Sequence, residues 1–219
     1  MPDFLHDCVR AVRMLNSGQG SEAAKWAGSL RSRILDAVDD PAALVGSPLI
    51  GIEHPNGFTK ITLWDGCGSG TARLHIWSPL AGEGDLHSHR WDFISTILQG
   101  SLAAEDFRIA AGDDHSLFKC RSSPFEYDLE FSRRTGLIRV ENTTRRSGDS
   151  YFQPSDLLHR ASALADGCIS FVLCGAPKRP YSTVVLQATT KSDNRPVVQL
   201  SSAEAIDALT LALRRVRDE

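Results

Sequence analysis

The chain has 219 residues, 42% apolar and 23% charged, an ordinary globular composition that excludes a wholly disordered, collagen-like or coiled-coil protein. Lys plus Arg is 24 and Asp plus Glu is 27, a formal net charge of −3, which lacks the basic footprint of a nucleic-acid binder. No apolar run reaches the ~18 residues that cross a bilayer, Asp3 and Asp7 argue against a secretory signal, and five cysteines with no CxxC pair favour reduced thiols, so a cytoplasmic location is expected.

Residues 1–45 read as a helical segment that covers a sheet. Phe4, Cys8, Val12 and Leu15 recur at helical spacing, and Gly18 and Gly20 break the run. Ser21 is the expected N-cap of a second helix carrying Ala23, Trp26, Leu30, Ile34 and Ala37, with Pro41 ending it. From 46 to 190 the texture changes to short β-rich runs, such as 58–64, 71–77, 93–98, 102–109, 137–141, 150–153, 168–173 and 183–187, punctuated by Gly, Pro, Asp and Ser. Many short strands without intervening helices indicate a mainly β sandwich, jelly roll or barrel. The run DGCGSG at 65–70 lacks the Lys-Ser/Thr of a phosphate loop and reads as a hairpin turn. His6, His54 and His115 are expected at the surface, in caps or in turns, and the arginines at 133, 134, 139, 145 and 146 in a solvated hairpin. Residues 191–219 read as a linker and one helix, opened by a Ser201–Glu204 capping box and striped by Ile206, Leu209, Leu213 and Val216.

The chemistry concentrates in Gly84–Gly100. His87 and His89 are two residues apart, and on a strand both imidazoles point to one side and can reach one metal ion. A third ligand is expected from a distant strand, and the stretch from Gly148 to His159 brings His159 back beside the pair.

These residues resemble the cupin superfamily. Gly84, His87, His89 and Gly100 loosely follow its first motif, and Gly148, Pro154 and His159 its second, over roughly residues 55–187. The resemblance implies a cupin double-stranded β-helix, a jelly-roll barrel holding a divalent metal, flanked here by N-terminal helices and one C-terminal helix. Phe93 occupies the slot where the family has a ligating glutamate, so the site resembles the three-histidine variant. Asp92, one residue away, would face opposite to Phe93 on a regular strand, and a supporting or turn role is expected for it rather than ligation. More narrowly, residues 58–77 and 158–160 resemble cysteine dioxygenases. By that match Lys60 stands where the family's arginine holds the substrate carboxylate, and His75 where the family has an apolar pocket residue. The family's Ser-x-His-x-Tyr set falls on Ser170, Val172 and Cys174, so only the serine remains.

Strand parity fills in the pocket. If Lys60 faces inward, so do Phe58, Thr62 and Trp64, while Arg73, His75 and Trp77 share a face on the next strand. Two inward cations, Lys60 and Arg73, need an anionic partner, which points to an anionic substrate. The leading expectation is a non-haem Fe(II) oxygenase for a small anionic, amino-acid-like substrate and O2, with the metal on His87, His89 and His159 and with Lys60, Arg73 and His75 orienting the substrate. Zn, Ni or Cu also suit imidazole. Two other readings stay open: a non-redox metal-dependent isomerase or lyase, and a metal-containing ligand-binding module. No nucleic acid or membrane partner is expected, and exposed barrel edges leave room for a homodimer.

Overall fold

The computed structural model describes residues 3–37, 39–46, 48–79, 84–122, 126–188 and 195–218. Two helices come first, α1 (Asp3–Asn16) and α2 (Gly20–Asp36), and α3 (Ser202–Arg217) comes last. Between α2 and α3 lie β1 (Ile50–His54), β2 (Phe58–Asp65), β3 (Thr71–Trp77), β4 (Leu86–His87), β5 (Phe93–Ser122), β6 (Glu126–Arg146), β7 (Ser150–Gln153), β8 (Leu158–Cys174), β9 (Ser182–Gln187), β10 (Arg195–Pro196) and β11 (Val198–Leu200). The protein is therefore mainly β, with antiparallel pairing throughout the described ladders. The sequence boundary at 190/191 lies outside the described residues.

The sheet closes on itself. β5 runs beside β8 from Phe93 to Phe107 and beside β9 from His115 to Cys120. The two-residue β4 bridges β8 and β9, through His87 opposite His159 and opposite Val184. The cycle β5–β8–β4–β9 is a barrel wall without an edge. β3, β2 and β1 extend it from β8, and β6 lies along β5.

Period-two alternation assigns the two faces of this wall. Ile61, Leu63, Ala72, Leu74, Ile94, Ile169, Phe171 and Leu173 face outward into one cluster with Leu5, Leu15, Leu30, Ile34, Leu209 and Leu213 of the helices. Each buried Leu, Ile or Phe side chain among these contributes about 1.5–3 kcal/mol. The helices thus cover one sheet face, and the opposite face of the same strands becomes the barrel interior.

Several local expectations change. α2 begins at Gly20 with Gln19 as N-cap and no side-chain cap bond, so Ser21 is inside the helix. Packing requires a glycine there, because a Cβ at Gly20 would stand 2.5 Å from the Phe152 ring. Pro41 opens a 3-10 turn (Pro41–Leu44), and α2 has already ended. His115 is not in a solvated turn: it pairs within β5 between Thr135 and Gln187. The runs 93–98 and 102–109 fuse into one long strand that bends at register shifts, including those at Asp106/Phe107 and Ala110/His115. The Ser201–Glu204 capping box is present as expected, and all five cysteines are free.

Candidate metal centre

His87 ends β4, His89 lies two residues further on, and His159 lies on β8 directly across from His87. The three ring centroids form a near-equilateral triangle, 4.8, 4.7 and 4.9 Å on a side. One donor nitrogen from each lies within 4.8 Å of the others.

The ring nitrogens are arranged for ligation. His87 Nδ1 donates to the Asp85 carbonyl at 2.8 Å, which leaves its Nε2 lone pair free. His89 Nε2 and His159 Nε2 face each other at 2.8 Å. Two nitrogens at right angles about a metal, with bonds of 2.0–2.1 Å, sit about 2.9 Å apart. Burial holds all three imidazoles below their ordinary pKa, with the neighbouring histidines adding to it at His89 and His159. The neutral form that this favours is the form that binds a metal. The donor set fits a divalent transition metal.

Phe93 packs edge-on against His89 at 4.8 Å and near His159 at 5.5 Å, so the expected glutamate position is a hydrophobic wall. Asp92 is 7% exposed and does not belong to the histidine cluster. Its carboxylate accepts from the Ser155 amide and from the Lys178 ammonium, which hold its pKa below the usual carboxylate range against the opposing effect of burial. It ties the start of β5 to the turn before β8 and so supports the strand that carries His159.

His87 and His89 line a cavity of about 420 Å³, and all three histidines line a small one of about 50 Å³. Lys60, Arg73 and His75 all line the larger space, on the face that parity assigns them. Burial, then the nearby Arg73, pulls the Lys60 pKa down to about 7. Arg73 lies over the Trp91 ring at 4.8 Å, and its Nε has no hydrogen-bond partner. The His75 ring stacks on Phe58 at 4.5 Å, and its buried Nε2 is also without a partner. Trp64 departs from the expected parity. A register shift between Thr62 and Trp64 turns it against the helix-side cluster.

Two cavity residues are not evident from the sequence. His54 ends β1, its ring stacked on Phe58 at 4.3 Å, and Tyr127 on β6 touches it through a 2.9 Å hydrogen bond. Ile50, Ile52 and His54 line the cavity together. That two-residue period is the available signal for His54. Nothing in the polar context of Tyr127 marks it.

No family model and no curated protein matches this chain. Among solved structures it is similar to a hydroquinone 1,2-dioxygenase in complex with Cd2+ and 4-hydroxybenzonitrile, at 10% identity over 52% of this chain and 61% of that one, TM-score 0.37. It is similar to hydroxypropylphosphonic acid epoxidase from S. wedmorenis, at 10% identity over 60% and 58% of the two chains, TM-score 0.39. A third is an RmlC-like cupin from Shewanella frigidimarina, at 17% identity over 58% and 85%, TM-score 0.34. The match spans less than two thirds of the dioxygenase chain.

Proposed function

We propose that this protein is a cupin-type, non-haem Fe(II)-dependent oxygenase acting on a small anionic, amino-acid-like substrate. The observation that supports it is that His87 and His89 of the histidine cluster line a cavity whose wall also carries two part-buried cations. Among the described residues neither Lys60 nor Arg73 has a carboxylate partner. An uncompensated buried cation is costly, and an anionic ligand removes that cost.

His87, His89 and His159 would hold the ion. Fe(II) bound there would supply redox chemistry with O2. Lys60 and Arg73 bind the anionic group and so fix which end of the substrate reaches the histidines. A carboxylate beside Lys60 restores its ammonium form, so Lys60 takes up a proton when the substrate enters above about pH 7. Phe58 and Trp91 provide apolar walls that limit water. His75 lines the same space, its buried Nε2 without a hydrogen-bond partner.

The test is anaerobic purification with elemental analysis, reconstitution with Fe(II), and O2-electrode assays over a panel of amino acids, thiols and small carboxylic acids. O2 uptake dependent on one substrate and lost in Lys60→Met supports the reading. Turnover under argon with zinc bound replaces it with Lewis-acid isomerase or lyase chemistry. Absence of O2 uptake across the panel rejects the oxygenase.

A further inference from the structure

The His54–Tyr127 pair lies outside the roles given so far, and its hydrogen bonds have a direction. His54 Nδ1 accepts from the Asn56 backbone N–H at 3.2 Å. A nitrogen that accepts carries no proton, so the ring hydrogen is assigned to Nε2. Nε2–H therefore donates to the Tyr127 hydroxyl oxygen, 2.9 Å away. The hydroxyl keeps its own hydrogen for another acceptor, and it makes no other hydrogen bond among the described residues.

The geometry holds this donor in place. Stacking on Phe58 with an interplanar angle of 11° fixes the His54 ring, and Tyr127 meets that ring edge-on at 5.3 Å. Both residues line the same 420 Å³ cavity as Lys60 and Arg73. Burial raises the Tyr127 pKa to about 12, so the phenol keeps its hydrogen at neutral pH.

We propose that Tyr127 is a third ligand-gripping residue of this cavity: its hydroxyl donates to an oxygen of the carboxylate held by Lys60 and Arg73, and His54 is the positioning residue that aims it. The inference rests on the anionic-substrate reading above. It also defines specificity. One lone pair of the Tyr127 oxygen is taken by His54, and the adjacent charges are cationic, so this wall accepts a carboxylate and disfavours a substrate ammonium. An amino-acid-like substrate therefore enters with its carboxylate here and its amino group elsewhere.

The probe is sodium benzoate, titrated calorimetrically into Fe(II)-loaded protein under argon at pH 6.5. The wild type is expected to bind, Lys60→Met to lose binding, and Tyr127→Phe to bind about tenfold or more weakly, as for loss of a hydrogen bond to a charged group. His54→Phe, which keeps the stack but lacks the aiming N–H, is expected to weaken binding by a smaller factor. Side-chain 15N spectra of His54 are expected to report the Nε2–H tautomer. In the wild type, the ring-carbon resonance next to the Tyr127 hydroxyl should shift on titration, a readout that needs no variant to fold. Unchanged affinity in Tyr127→Phe alongside loss in Lys60→Met overturns the inference and leaves the anion reading standing. An unmoved Tyr127 resonance or an Nδ1–H tautomer also overturns it. Failure of the wild type to bind rejects both together.

Discussion

The Nε2 atoms of His89 and His159 stand 2.8 Å apart, although 70 residues separate them in the chain. Strand pairing produces this approach. His87 is fixed opposite His159 by the β4–β8 ladder, and His89 comes two residues later on the same side. Two polar nitrogens facing each other in a buried site are stabilised when a cation takes both lone pairs.

Replacing His159 by Ala is expected to lower metal affinity at least a hundredfold. One of three ligands is lost, and among the described residues no carboxylate belongs to the cluster to replace it. Elemental analysis after dialysis measures this. Retained β circular dichroism with lost metal is the expected pair of results, and unchanged occupancy would place the ion elsewhere.

Lys60 makes the stability of the protein depend on pH in a definite direction. Its pKa is about 7 when folded and 10.5 as a free side chain. Between those values the unfolded chain binds more protons, so stability rises with pH across that window. Below pH 7 the buried ammonium costs on the order of 5 kcal/mol. Lys60→Met should therefore be more stable than the wild type at pH 6, and the gap should narrow toward pH 10. Parallel denaturant melts at the two pH values measure it, and a gap that widens with pH would contradict the assignment.

Asp92→Ala is expected to cost about 2 kcal/mol, because the buried Ser155 amide and the Lys178 ammonium both lose their acceptor. Asp92→Asn should cost less, since its amide oxygen can keep the Ser155 bond. For the wild type, the depressed Asp92 pKa means a contribution that is present above its ordinary 3.8 and lost as acid protonates the group. Urea midpoints for the three proteins at pH 7 rank the effects.

Glycine substitutions separate backbone strain from crowding. Gly100 has φ +72°, and an added Cβ would lie 2.3 Å from the Gly167 carbonyl oxygen. Gly148 has φ +91° with open space around it. Gly148→Ala should cost about 1–2 kcal/mol for the left-handed backbone alone, and Gly100→Ala clearly more. Equal losses in denaturant melts would show that the neighbouring chain yields at Gly167.

The helices, the β-rich middle and the three histidines are legible because each rests on local periodicity or spacing. Parity over regular strands places Lys60, Arg73 and His75 on one face. Parity fails at Trp64, where a register shift interrupts the alternation. In the five residues of β1 the alternation is too brief to stand out, and His54 reads locally as a surface residue. The Gly-Asp-Asp sequence before His115 marks a turn by local chemistry. The long β5 instead carries those residues through as a bulge between Ala110 and His115. Tyr127 depends on a contact with β1, 73 residues away, and no local pattern encodes it.

The two-residue β4 has one further consequence. Through His87 it is paired to β8 on one side and to β9 on the other. A stitch that short has little cooperativity of its own, so without an ion this seam is where amide deuterium uptake should begin. Loading the ion should slow exchange at His159 and Val184 far more than at Phe171, beneath the helices. The centre would then act as a rivet for the barrel wall as well as a reaction site.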